Sequence, residues 1–202
     1  MNYFKLKKKR KITKVEISFL FGLIAAIMAS FFGCLNNTEK IEKNVLRLHI
    51  LANSNSKKDQ NLKLKVRDAI LENFNFNKNN DIEKSKQYVK TNLKEIEKVA
   101  KKTIEQEGFY NDVNAKLEKT YFKTREYNGF SMPAGFYNAL RIEIGNAKGK
   151  NWWCVMVPSM CIPAAKKKAI KTFSNNEQDL IKKGNKIEVR FAAIEVFKNL
   201  FF

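Results

Sequence analysis

Few side chains in this sequence could carry nucleophilic or metal chemistry: His49 is the sole histidine, and Cys34, Cys154 and Cys161 are the only cysteines. A thiolate activated by a neighbouring imidazole is the nucleophile of cysteine hydrolases, and Cys154 with His49 is the pair this composition allows. Two features oppose that reading. Cys161 lies near enough in sequence to pair with Cys154, and His49 falls inside a strand pattern. In an exported domain the oxidising surroundings favour a Cys154–Cys161 disulfide, which on the chain-entropy estimate adds about 2.5 kcal/mol. His and Cys nowhere take the spacing of a metal-ligand set. Gly145-Asn-Ala-Lys-Gly149 lacks the spacing and the following helix of a phosphate-binding loop. The expectation is a protein that is not an enzyme, with no catalytic residue, metal or cofactor.

Both of those cysteines belong to Ser131–Pro163, a stretch that also holds all three prolines and both tryptophans. Phe136–Ile144 alternates apolar and polar residues, Gly145–Lys150 reads as a loop, and Trp152–Val157 is a strand with bulky residues on both faces. So short a connection predicts a β-hairpin between the two, stopped by Pro158 and Pro163. Exposed aromatics and arginines are the usual anchors of interfaces. Trp152, Trp153 and Arg141, with Asn151 beside them, are therefore candidates for partner contact, the alternative for each tryptophan being a place in the core.

The elements that must position these residues are legible around them. Val45–Ala52 alternates as a strand, with Leu46, Leu48 and Ile50 on one side and Arg47, His49 and Leu51 on the other. Asn53-Ser54-Asn55-Ser56 ends it. Ser56 and Asp59 resemble a capping box before Leu62, Val66, Ala69, Ile70 and Phe74 at helical spacing. That loop could offer backbone N–H groups and the Asn53 amide to an anion at the helix N-terminus, or could only make the turn and cap the helix. A second helix is predicted from Ile82 to Glu107, with Gly108 at its C-terminal cap. Val113–Phe122 reads as a strand, followed by turn signals at Asn128-Gly129 and Pro133-Ala134-Gly135. A helix at Glu177–Lys182, a last strand at Ile187–Phe191 and a terminal helix at Ala193–Phe201 complete the reading. The fold class is α+β, with helices packed on a mostly antiparallel sheet.

Residues 1–35 read as a targeting unit. Lys5, Lys7–Lys9, Arg10, Lys11 and Lys14 precede an apolar run from Ile17 to Leu35, long enough to span a bilayer, and the flanking cations hold its N-terminus in the cytoplasm. The run could be an uncleaved signal-anchor, a cleaved signal, or a lipoprotein segment modified at Cys34. Residues 36–44 are polar and aperiodic and read as a linker, leaving 45–202 as the exported α+β domain. The formal charge of +19 suits anionic partners. Lys and Asn are scattered along the whole chain, however, which speaks for background composition and against a nucleic-acid surface.

Several of these segments together resemble one family. Leu46-Arg-Leu-His-Ile-Leu-Ala-Asn-Ser, Asp59-Gln60, Lys63-Leu-Lys-Val-Arg-Asp68, Pro133-Ala-Gly, Tyr137, and Gly149-Lys-Asn-Trp-Trp-Cys-Val with Pro158 and Cys161 resemble the stage II sporulation protein R family of endospore-forming bacteria. The resemblance implies a signal made in the forespore and exported across the forespore membrane into the intermembrane space. There it would activate a mother-cell membrane aspartic protease that processes the sigma-E precursor. The sequence departs from the family pattern at Asn55, Phe136, Asn146-Ala147 and Ser159, where Asp, Glu, Asp-Gly and Pro are usual. An exported cell-wall hydrolase using Cys154 and His49, or a module binding anionic wall polymer, are the alternatives.

Overall fold

The computed structural model describes residues 13–78, 81–127, 130–161 and 170–182. The expected strand at Ile187–Phe191, the terminal helix at Ala193–Phe201, the Asn128-Gly129 turn and Pro163 lie outside them. The chain divides into two compact units, Met1–Asn36 and Asn37–Phe202.

The first unit carries most of α1 (Lys14–Lys43), whose large apolar side chains from Val15 to Met28 are exposed. By length and composition this helix could cross a membrane. The expected linker is helical as far as Lys43, a correction with a local cause. Glu39 and Lys43 form an ion pair one turn apart at 2.7 Å, and Lys40 and Lys43 stand in the last turn, where cations favour the helix dipole. Ile41 is fully buried, so polarity concealed a helix with one apolar anchor.

The second unit is organised on β1 (Leu46–Leu51), all six residues of which are buried. A strand covered on both faces belongs in the middle of a sheet, and β1 has a partner on each edge. The four-stranded sheet has the order β2 (Val113–Phe122), β5 (Gly135–Ile144), β1, β6 (Asn151–Val157). β1 runs parallel to β5 and antiparallel to β6, and β2 is antiparallel to β5. The sheet is therefore mixed, with two of its three pairings antiparallel.

β5 and β6 do not form the expected hairpin, because β1 lies between them. Two inter-strand spacings of about 4.8 Å each separate them, which Gly145–Lys150 spans by crossing the C-terminal end of β1. Gly149 N donates to Ala52 O at 2.8 Å and Lys148 N to Asn53 O at 3.2 Å. Loop length allowed a hairpin; the doubly buried β1, needing a ladder on both edges, takes the position instead.

α2 (Lys57–Asn73) and α3 (Ile82–Gln106) cover one face of the sheet. Their buried residues Leu62, Val66, Ile70, Val89, Ile96, Ala100 and Ile104 pack with Leu46, Leu48, Ile50, Leu140, Ile142, Cys154 and Met156 in one core. Asp59 N donates to Ser56 Oγ at 3.1 Å, starting α2 as expected. α3 ends in a Schellman motif: Phe109 N donates to Ile104 O, Gly108 N to Glu105 O, and Gly108 has φ +78°. A two-stranded ribbon, β3 (Arg125–Tyr127) with β4 (Phe130–Met132), was not expected from sequence; its strands are only three residues long. The last described element is α4 (Asn175–Lys182).

Candidate functional site

Side chains alternate across a strand, so the sheet presents a second face unlike the aliphatic one under the helices. There β1 contributes Arg47 and His49, β5 contributes Tyr137 and Arg141, β2 contributes Glu118 and Phe122, and β6 contributes Trp153. The register sets His49 between Arg141 on one side and Trp153 on the other. The His49 and Trp153 rings stack at 3.7 Å with planes 12° apart, and Phe122 meets Trp153 edge-on at 4.7 Å. Arg47 lies over the rings of Phe122 and Tyr137, 4.1 and 5.0 Å from their centroids.

Arg141 is held by acids. Its Nη1 is 3.1 Å from Glu118 and its Nη2 2.8 Å from Glu143, and Lys116 lies within 3.7 Å of both carboxylates. Burial and then the Arg141 charge press the His49 imidazole down to about 4, so the ring is neutral at pH 7. Burial lowers the Arg47 guanidinium and raises the Tyr137 hydroxyl, which donates to Pro133 O at 2.8 Å.

The hydrolase pair is not assembled. Cys154 is opposite Leu48 and packs in the core beneath the helices, whereas His49, one residue further along β1, belongs to the other face. Cys154 is disulfide-bonded to Cys161 with Cα atoms 5.5 Å apart. Among the described residues no cluster of His, Cys, Asp and Glu could hold a metal ion. Beside the disulfide is an open groove of about 210 Å³ lined by Leu71, Phe74, Phe76, Met156 and Cys161.

The other sequence candidates are dispersed. Trp152 is half-buried on the helix side, with Arg67 of α2 4.4 Å above its ring, and Asn151 is exposed at the start of β6. Asn53 is engaged within the fold. Its Oδ1 accepts from Asn146 N at 3.0 Å and its Nδ2 donates to Asp59 Oδ2 at 3.1 Å, where Ser54 Oγ also donates. The carboxylate at the α2 N-terminus is thus the protein's own. Ser54 foremost, then Asn53 and Ser56, hold Asp59 below the usual carboxylate range against the opposing effect of burial. Sequence reasoning did not connect Arg47 with Phe122, Tyr137 and Tyr127, whose hydroxyl accepts from Arg47 Nη2; the signal was Arg47 and His49 in a strand whose other four residues are apolar.

Residues 42–167 match the family described as Stage II sporulation protein R. The chain belongs to that family. One relative, Stage II sporulation protein R of Bacillus subtilis (strain 168), is 38% identical over 128 residues, which is 62% of this chain and 57% of the relative. The chain thus spans little more than half of that relative's length. No solved structure matches it.

Placed on the fold, the segments that carry the stage II sporulation protein R resemblance are largely joints. A Cβ on Gly149 would come within 2.2 Å of Ser54 O, so only glycine lets the β5–β6 connection lie on the loop after β1. A Cβ on Gly135 would meet the Glu42 carboxylate, which accepts from Phe136 N at 3.2 Å. Lys63 Nζ donates to Lys150 O at 2.8 Å, tying α2 to the Gly149-Lys-Asn segment. The departures are partly absorbed. Asn55 Oδ1 accepts from Lys150 N at 2.8 Å, a bond an Asp carboxylate could equally accept. Ala147 keeps the left-handed backbone, φ 53°, at a position where the family usually has glycine.

Proposed function

We propose that this protein is an exported signal of endospore formation, which crosses the forespore membrane and activates a mother-cell membrane aspartic protease that processes the sigma-E precursor. The observation that carries the reading is the family match over residues 42–167. Three features support it. The apolar α1 suits a signal or anchor segment in the forespore membrane. The Cys154–Cys161 bond suits an oxidising space outside the cytoplasm. The wall-hydrolase alternative loses its nucleophile–base pair, since Cys154 and His49 face opposite sides of the sheet.

In this reading the protein acts by binding. Trp153, Asn151 and Arg141 lie along one side of the β1–β6 region, and Trp152 with Arg67 on the other, as contact candidates for the protease. The test is deletion of the gene in its sporulating host. The septum should form while the sigma-E precursor stays uncleaved; normal cleavage in the deletion strain would remove the proposal.

A further inference from the structure

β6 is an outer strand of the sheet, and β1 occupies only one of its edges. In an antiparallel pair the N–H and C=O of one residue point the same way, alternately towards the partner strand and away from it. Ala52 O accepts from Gly149 N on the β6 side of β1, and the register continues this parity to Ile50 opposite Trp152 and Leu48 opposite Cys154. Trp152 and Cys154 thus direct their backbone groups at β1, and Asn151, Trp153 and Val155 direct theirs outward. Val155 O is taken there by Met160 N at 3.1 Å, in the turn that follows β6. Among the described residues no hydrogen bond reaches the outward N–H and C=O of Asn151 and Trp153.

Cations flank this free edge on both faces. On the helix side Arg67 lies over the Trp152 ring, 4.4 Å from its centroid, and Lys63 Nζ donates to Lys150 O. Burial first, and then the charges of Arg67 and Lys150, lower the Lys63 ammonium, so the three cations stand close together. Among the described residues Asp68, 2.7 Å from Arg67 Nη2, is the one carboxylate ion-paired with any of them. On the other face Arg125 is exposed, 5.6 Å over the Trp153 ring. Like charges on paired strands repel and opposite charges attract. Such an edge therefore disfavours the identical edge of a second copy and favours a strand that carries acids.

We propose that the outer edge of β6 at Asn151–Trp153 is a strand-docking site, and that its occupant is an extended, acidic segment of a partner protein. A polypeptide in extended form offers N–H and C=O groups at the spacing these two residues present. Successive side chains of an added strand fall on opposite faces, so two adjacent acids would meet Arg67 and Lys150 on one face and Arg125 on the other. The edge is open as it stands: Asn151 is exposed, and neither Trp152 nor Trp153 is buried. The inference rests on the reading that the protein acts by binding, and adds the form and charge of the partner segment.

The test is an NMR titration of the full chain in detergent, with tryptophan labelled in its ¹³C carbonyl and ¹⁵N amide. Trp153 is the only residue that follows a tryptophan, so its amide alone couples to a labelled carbonyl and needs no variant for assignment. The probes, at constant ionic strength, are acetyl-Thr-Val-Glu-Asp-Val-Thr-amide, its Gln-Asn counterpart, and two forms of the acidic peptide N-methylated on one or the other alternate set of backbone nitrogens. The acidic peptide should shift the Trp153 amide saturably at roughly a tenth of the concentration its Gln-Asn counterpart needs. One methylated form should bind and the other should not, because only one set of N–H groups faces β6. No saturable shift at Trp153, or no difference between the two methylated forms, would overturn the strand-docking site. Equal binding of the Gln-Asn peptide would overturn the acidic occupant. A Trp153 shift on raising the protein concentration without peptide would assign the edge to a second copy and overturn the partner. All of this is read on the isolated chain, so the site can fail while the deletion test of the sporulation role succeeds, and the reverse.

Discussion

His49 and Trp153 stack face to face at 3.7 Å from neighbouring strands, while Cys154, the next residue after Trp153, points through the sheet into the aliphatic core. One peptide step therefore separates a polar, aromatic face from the disulfide. The Trp-Trp-Cys segment contributes to two surfaces at once, and neither brings a thiol to an imidazole.

The sole histidine should report that environment directly. Its folded value is about 4 against 6.5 for the free side chain, so the unfolded chain binds the extra proton between those values. Stability from keeping His49 neutral is fully present above about pH 6.5 and is lost as pH falls towards 4. Imidazole NMR signals should titrate near pH 4, and His49→Gln should flatten the stability profile in this window. A midpoint near 6.5 would show an exposed ring.

Asp59 works with the same sign from a different cause. Donation by Ser54 and Asn53 depresses its folded value, so its contribution is present above the unfolded value of about 3.9 and is lost as pH falls through the folded one. Asp59→Asn should lower stability at pH 7, and the difference from wild type should shrink below about pH 4. Parallel denaturant curves at pH 7 and 3 measure it.

Gly149→Ala should be severe for so small a change. The added methyl meets the Ser54 carbonyl, which is backbone, and overpacking of this kind costs about 1–3 kcal/mol. Urea unfolding should show a lower midpoint with an unchanged slope.

Ala147→Gly should act oppositely. Ala147 holds φ 53°, which disfavours a Cβ by roughly 1–2 kcal/mol; the greater freedom of glycine in the unfolded chain offsets about 0.4–1 kcal/mol of that gain. A net stabilisation of about 0.5–1 kcal/mol, read as a raised melting temperature, is expected.

Much of this architecture was legible because local patterns reported it. The Leu46–Leu51 alternation separated the two faces of β1, Ser56 marked the start of α2, and Gly108 the end of α3. Strand neighbours were less accessible. Nothing in Phe136–Val157 alone shows that β1, some ninety residues earlier, enters between two adjacent strands; that follows from the hydrogen-bonding demand of a doubly buried strand. Residues 36–43 looked like a linker because the end of α1 carries an ion pair, Glu39–Lys43, and a single buried aliphatic, Ile41, with little apolar periodicity. The cluster around Arg47 was hidden because its parts, Phe122, Tyr127 and Tyr137, come from β2, β3 and β5 and have no common sequence motif.

The central claim is that Trp152–Cys161 is a clamped recognition element and not an active centre. The direct measurement is cleavage of the sigma-E precursor in a deletion strain complemented with wild type, Cys154→Ser or Cys161→Ser. The two variants should be equally impaired, because each opens the same bond and forfeits about 2.5 kcal/mol of loop-closure stabilisation. Full cleavage with Cys161→Ser beside none with Cys154→Ser would identify Cys154 as a nucleophile and contradict the account.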